Sequence, residues 1–131
     1  MSTNRWPNFS DSEMQCHCGC GNGIRNMDPG FMDDLQALRT KFGKPIRITS
    51  GFRCSNHNRS VSSTGESGPH TTGKAVDIQI GGSDAHELLR IAVQLGFRGI
   101  GISQKGDYSG RFIHLDMCAA PDFPRPMVWS Y

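Results

Sequence analysis

Glycine and proline interrupt this sequence so often that only short helices and strands fit between them. Of its 131 residues, 16 are glycine and seven are proline. Glycine is unfavourable inside helices and strands, and proline removes a backbone donor from either. A chain divided in this way must build its core from several short elements. We therefore expect a single domain over residues 1–131, a size that one hydrophobic core supports.

Two segments have the pattern of an amphipathic helix. In DPGFMDDLQALRTKFG, Asp28 can cap the first turn, Pro29 suits that turn and Gly43 can end the helix. In SDAHELLRIAVQLG, the corresponding cap is Ser83 and the closing residue is Gly96. The apolar side chains predicted to face inward are Phe31, Leu35, Leu38 and Phe42 in the first helix and Ala85, Leu88, Leu89 and Ala92 in the second.

Four further segments are predicted to be strands: PIRITSGF, AVDIQI, FRGIGIS and RFIHLDM. Residues 53–74 are polar and rich in serine and glycine, which predicts a long loop of the kind that is often functional. The tail PDFPRPMVWSY is predicted to be extended. This order of elements indicates an α+β fold, with a small antiparallel sheet flanked by helices.

Charge and hydropathy narrow the possible partners. The net charge is +2, and no basic stripe indicates a nucleic-acid partner. No apolar run is long enough to cross a membrane, so we expect no membrane insertion. The N-terminal stretch MSTNRWPNFSDSEM lacks the layout of a secretory signal, so we expect a protein made in the cytosol. We also expect a monomer.

Five cysteines are present, and an odd number leaves at least one thiol unpaired in a monomer. Cys16, Cys18 and Cys20 lie in CHCGC, a spacing that differs from the C-x-x-C knuckle of structural zinc sites. We interpret them first as small buried thiols in a turn. A disulfide from this group to Cys54 is the next alternative, and a second metal site is the third. The fifth cysteine is Cys118.

A carboxylate inside an apolar strand points to metal chemistry. Asp77 alternates with Val76 and Ile78, so it faces away from both of them. Such a carboxylate is costly unless it is paired or binds a metal. His70 precedes it in a loop, and His114 lies in a later strand. Two histidines and an aspartate are a plausible zinc site with one open position, although ordinary core or surface residues are the alternative.

One apparent zinc motif is incomplete. HELLR begins like H-E-x-x-H, but Arg90 stands where the second histidine must be. We therefore interpret His86 and Glu87 as part of a solvated helix face.

The ordered blocks SGFRCSNHN, SGPHTTGKAVDI, GIGIS, FIHLD and RPMVWSY resemble the M15 family of zinc peptidases, in its D-alanyl-D-alanine carboxypeptidase-like branch. The resemblance runs from about Phe9 to Tyr131. It implies the hedgehog-like zinc peptidase fold and hydrolysis of peptidoglycan stem peptides. It also implies one zinc ion held by His70, Asp77 and His114.

The resemblance implies that Arg53 binds the substrate carboxylate or polarises the scissile carbonyl. A surface arginine in a loop is the alternative.

Two positions depart from the family pattern. Gly68 stands where a serine is usual, with Ser67 one residue earlier, and Arg111 stands where several branches place an acidic general base.

The general base is therefore sought elsewhere. Asp116 lies two residues after His114, on the same strand face, and is the first choice. Asp107, in the preceding turn, is the second choice. Asp116 could instead accept a hydrogen bond from His114 and so orient this metal ligand without binding the metal itself.

Four other polar or aromatic residues are expected to have structural roles. The resemblance implies that Asn58 fixes the loop after Arg53, and His57 is expected to be a solvated loop histidine. Trp129 and Tyr131 are expected to pack on the domain rather than bind a ligand.

The resulting hypothesis is a zinc peptidase that cuts stem peptides or their cross-links, as a D,D-carboxypeptidase or an endopeptidase. It resembles a phage or prophage endolysin, which accumulates in the host bacterial cytoplasm and reaches the wall once the membrane is breached. The alternative is a non-catalytic, zinc-containing wall-binding or virion structural module, favoured by the missing acid at Arg111.

Overall fold

The computed structural model describes residues 5–62 and 68–131. Within these ranges the chain forms four α-helices and five β-strands. The helices are α1 (Asp11–Met14), α2 (Pro29–Phe42), α3 (Ser55–Val61) and α4 (Gly82–Gln94). The strands are β1 (Arg47–Ser50), β2 (Ala75–Gln79), β3 (Gly99–Ser103), β4 (Phe112–Asp116) and β5 (Met127–Ser130). Short 3₁₀ turns occupy Gly23–Asn26, Pro69–Thr72 and Tyr108–Gly110.

The expected α+β class is confirmed, with one five-stranded sheet in the order β1-β2-β4-β3-β5. The sheet is antiparallel except at its edge, where β5 runs parallel to β3. The tail predicted to be extended thus becomes a strand. The backbone N–H of Met127 donates to the carbonyl of Arg98 (2.9 Å) and that of Tyr131 to the carbonyl of Ile102 (3.3 Å), so the contact extends to one residue before β3 and one residue after β5.

Helix α2 follows its sequence pattern closely. The Asp28 side chain accepts a hydrogen bond from the backbone N–H of Phe31 at 2.9 Å, which caps the helix. Gly43 ends it in the left-handed conformation, with φ at +75°. The four side chains predicted to face inward are all buried. The face of α2 therefore supplies a large share of the core.

Helix α4 differs from its prediction at the start and on its inner face. It begins at Gly82 with Gly81 as the N-cap residue, so Ser83 is not the cap. Leu89 is only partly buried, whereas Ile91 is fully inside. The cap thus lies two residues earlier than predicted, and Gly82 adopts a left-handed φ of +61°, which glycine tolerates, at the turn between β2 and α4.

The prediction of a continuous loop over residues 53–74 was wrong. Helix α3 and the turn Pro69–Thr72 occupy much of this range. The Sγ atom of Cys54 accepts a hydrogen bond from the backbone N–H of His57 at 3.3 Å and so caps α3. Cysteine is not a usual N-cap residue, which is why the sequence pattern carried no helix signal here.

None of the helices in the described part of the chain has both the length and the apolar character needed to span a membrane.

Candidate metal centre and cleft

The three predicted metal ligands converge at the middle of the sheet. Strands β2 and β4 pair in a register that sets Asp77 opposite His114, and His70 comes from the turn just before β2. Oδ1 of Asp77 lies 3.3 Å from Nε2 of His70 and 3.0 Å from Nδ1 of His114. One ligand atom from each residue lies within 4.8 Å of the other two. The arrangement could hold one metal ion.

Each imidazole is oriented by a second partner on its far side. Nδ1 of His70 lies 2.8 Å from the carbonyl oxygen of Gly51, and Nε2 of His114 lies 2.7 Å from Oδ2 of Asp116. Both partners can only accept, so these nitrogens carry the protons in the bonds. The remaining ring nitrogens face Oδ1 of Asp77: when protonated they donate to it, and when deprotonated their lone pairs could bind a metal ion there. Outer partners of this kind fix the tautomer in metal sites.

The electrostatics of the centre favour a cation. Burial opposes the charged form of Asp77, but the neighbouring imidazoles, His70 first, hold the pKa of that carboxyl well below its usual range. Burial also opposes charge on His114, yet its hydrogen bonds to Asp116 and Asp77 raise its pKa. The carboxylate is therefore ionised at neutral pH and is available as a ligand.

Arg53 lies beside the centre, on the segment that follows β1. Its Nη2 is 3.6 Å from Oδ2 of Asp77, and its Nη1 donates to Oδ1 of Asn58 at 3.0 Å. Its backbone N–H donates to the carbonyl of His70 at 3.1 Å. Asn58 is almost fully buried in α3, where it holds the guanidinium. The position suits a group that contacts bound substrate.

Asp116 is fully buried, and both of its oxygens are engaged. Arg125 donates from Nε to Oδ1 at 2.9 Å and from Nη2 to Oδ2 at 2.8 Å. The Cys118 N–H also donates to Oδ1, at 3.2 Å. Burial opposes its charge, but the bonds to Arg125 and His114 keep its pKa well below the usual range. This placement favours the orienting role over the role of general base.

Asp107 was the second choice for the general base, and Arg111 occupies the position that is acidic in several branches of the family. Both lie away from the metal centre. Asp107 is exposed, directly before the turn Tyr108–Gly110, and does not line the cleft. The Arg111 Nε donates to the carbonyl of Gly106 at 3.1 Å. Among the described residues that line the cleft, Asp77 is the only carboxylate.

A cleft of about 580 Å³ opens over the centre. Its aromatic wall comes mainly from the C-terminal segment. The Trp129 ring centroid lies 5.2 Å from that of His114, and Tyr131 lies 4.9 Å from Phe112. Trp129 and Tyr131 each contact another ring, but Tyr131 is half exposed and both line the cleft, so the expectation that they pack rather than bind a ligand stays a prediction.

Sequence reasoning missed Arg125. Its guanidinium holds Asp116 and lies 5.0 Å from the centroid of the Trp129 ring. It also borders the cleft. A basic residue between two prolines in an apolar tail was its only signal.

The remaining predictions concern the incomplete zinc motif on α4, His57 and Ser67. His86 is exposed on α4, and Glu87 pairs with Arg90 at 2.7 Å, so the incomplete zinc motif is a helix surface as predicted. His57 lies in α3 rather than in a loop and is partly buried. Ser67 lies outside the described residues.

Comparison with known proteins agrees with this architecture. The family model for peptidase M15 matches residues 7–116, a range that contains Arg53, the three predicted ligands and Asp116. The chain is 28% identical over 101 residues to the peptidoglycan L,D-endopeptidase MepK of Escherichia coli strain K12 and of Shigella flexneri. The aligned part is 72% of this chain and 53% of each relative, so the chain spans about half the length of these curated relatives. The resemblance found in the sequence is thereby confirmed at the level of the family: this chain belongs to the peptidase M15 family.

Proposed function

We propose that this chain is a zinc-dependent peptidase that hydrolyses amide bonds in the peptides of bacterial peptidoglycan. The observation that carries the proposal is the convergence of His70, Asp77 and His114 at the base of an open cleft. Three protein ligands are typical of catalytic zinc sites, because one coordination position stays free for substrate or solvent.

The donor set fits zinc. Two imidazole nitrogens and one carboxylate oxygen are common zinc ligands, and each imidazole has the outer partner that such ligands usually have. Zinc held in this way supplies a Lewis acid that polarises carbonyl groups and activates water near neutral pH.

The protein groups around the centre have distinct proposed roles. Arg53 binds the substrate carboxylate or the oxygen of the scissile carbonyl, because its fork of donors faces the cleft beside Asp77. Asn58 holds that guanidinium in place. Asp116 is a positioning residue that orients His114 through Nε2. Arg125 keeps Asp116 ionised and fixed.

The cleft also suits a peptide. Trp129 and Tyr131 provide flat apolar walls, while Arg53 provides a guanidinium beside Asp77. Stem peptides of peptidoglycan combine small apolar side chains with free carboxylates. The relatives are named as L,D-endopeptidases, which favours an endopeptidase over a D,D-carboxypeptidase.

Digestion of purified peptidoglycan tests the proposal. The zinc-loaded chain should release stem-peptide fragments, and mass spectrometry of these fragments identifies the bond that is cut. A chelator and the variant His70→Ala should both abolish release. His86→Ala removes an exposed histidine from α4 and is the matched control, which should retain activity. Undiminished release by His70→Ala would refute the proposed centre.

A second candidate function is a zinc-containing module that binds the wall without cutting it, or a virion structural part. It is favoured by Arg111 at the acidic position and by the lack of a second carboxylate among the described cleft residues. Zinc-loaded protein that sediments with peptidoglycan yet releases no fragments would support this candidate.

We further propose that the chain acts as a phage endolysin. This proposal rests on the sequence resemblance and on a net charge of +2, which suits an anionic wall. Expressed in the bacterial cytoplasm, it should leave cells intact until the membrane is permeabilised. Lysis should then follow in the wild type and fail in His70→Ala. Equal lysis by both proteins would contradict this role.

A further inference from the structure

Four of the five cysteines meet at one place, although one of them lies 34 residues beyond the last of the other three. Three come from the segment after α1, and the fourth caps α3; together they form the cysteine cluster Cys16, Cys18, Cys20 and Cys54. Their Sγ atoms all lie within 4.8 Å of one another. The initial interpretation as buried thiols is wrong for Cys18 and Cys20, which are exposed.

The sulfur atoms form a group rather than two pairs. Cys18 Sγ lies 3.3 Å from Cys16 Sγ, 3.0 Å from that of Cys20 and 3.6 Å from that of Cys54. Cys16 and Cys54 are 3.8 Å apart. Disulfides would require each sulfur to have one exclusive partner. In this cluster, by contrast, Cys18 approaches all three of the others.

The spacing matches four ligands around one ion. Zinc–sulfur bonds are about 2.3 Å, so the edges of a tetrahedral zinc–thiolate site are about 3.8 Å. Four of the six separations between Sγ atoms run from 3.0 to 3.8 Å, and all six are within 4.8 Å. Thiolates are soft ligands and select zinc over magnesium or calcium.

The backbone around the cluster supports negative charge on sulfur. The Cys54 N–H points to Sγ of Cys16 at 3.4 Å, and the His57 N–H points to Sγ of Cys54 at 3.3 Å. The Gly19 N–H donates to the carbonyl of Cys16 at 2.9 Å, which closes a tight turn. Gly19 has φ at +90°, a conformation that glycine adopts without strain. Donors of this kind orient and stabilise metal-bound thiolates.

We propose that the cysteine cluster binds a structural zinc ion, separate from the predicted catalytic one. Four protein ligands leave no open position, so this ion has a structural role. The cluster joins the N-terminal segment to the loop that carries Arg53. The Phe52 N–H donates to the carbonyl of Met14 at 3.1 Å in the same region. The ion would thus fasten Cys54, and this hydrogen bond fastens Phe52, on the two sides of Arg53.

Zinc content of the purified 131-residue chain tests this inference. Wild-type protein should contain about two zinc ions per chain, and Cys18→Ser about one. Cys118→Ser removes a cysteine outside the cluster and is the matched control, which should keep about two. Cys18 is exposed, so its replacement should not disturb the core. His70→Ala should lose the other ion and keep the one in the cluster.

Cobalt substitution gives a second readout that does not depend on activity. Thiolate ligation produces intense near-ultraviolet charge-transfer absorption, which should persist in His70→Ala and fall in both Cys18→Ser and Cys54→Ser. This separates the inference from the proposed peptidase, because failure of the catalytic site leaves the thiolate signal intact. Disulfides within the cluster of freshly purified protein, or zinc content unchanged in Cys18→Ser, would overturn the inference.

Discussion

Nε2 of His114 lies 2.7 Å from Oδ2 of Asp116, and the same carboxylate receives two bonds from Arg125. The carboxylate therefore links a predicted metal ligand in β4 to the C-terminal segment. Both partners are almost wholly buried: the side chains of His114 and Arg125 are only 3% and 4% exposed. Such a charged network is stable only while every member is paired.

Asp116→Asn should lower stability and metal affinity together. Asparagine keeps the shape but leaves the buried Arg125 charge without an ionised partner, at a cost of about 3–5 kcal/mol. Loss of the outer partner of His114 should weaken zinc binding about 10–100-fold. Chemical denaturation measures the first effect, and competition with a chelator measures the second.

Asp84→Asn is the matched control, since Asp84 forms a surface pair with Lys44 and should leave both quantities unchanged. If Asp116→Asn kept its zinc affinity and its stability but lost turnover, Asp116 would be the general base.

Asp77→Ala should remove about one zinc ion per chain and abolish peptidoglycan hydrolysis. The substitution removes a ligand and also the charge that faces both imidazoles, so the melting temperature should fall as well. Metal analysis, fragment release and thermal unfolding check the three effects. Asp84→Ala should leave all three unchanged. Zinc content equal to that of the wild type would count against the ligand role.

Arg53→Lys should lower kcat/KM about 10²–10³-fold while zinc content stays the same. Lysine keeps the charge but lacks the planar fork that binds an oxyanion or carboxylate bidentately. Arg47→Lys, an exposed position in β1, is the control. Full activity in Arg53→Lys would show that the guanidinium makes no specific contact with substrate.

Gly101→Ala should disturb the aromatic wall of the cleft. A Cβ atom there would lie 2.6 Å from Nε1 of Trp129 and 2.9 Å from Cε2 of Tyr131, so the rings must move. The expected loss of stability is about 1–3 kcal/mol, with a higher KM. Denaturation and tryptophan fluorescence measure the shift. Gly110→Ala meets no atom within 4 Å and should be neutral; the same effect in both variants would contradict the steric argument.

Local patterns in the sequence determined α2 and the strands around the centre. The cap at Asp28, the closing Gly43 and the apolar face of α2 are near neighbours in the chain, so their interactions can be predicted from spacing. The alternation that turned Asp77 away from Val76 and Ile78 is likewise a local property. The ligand set itself depended on the family resemblance, because spacing alone left core and surface roles open.

Only the tertiary structure decided what depends on distant segments. Arg125 reaches Asp116 because the tail folds back and β5 joins β3 in parallel, and no local signal specifies that pairing. The cysteine cluster likewise forms because the start of α3 meets the segment after α1, although Cys54 lies 34 residues beyond Cys20 in the numbering. Arg125 lies nine residues after Asp116, and no single helix or strand joins the members of either set, so only packing of the whole core brings these side chains together.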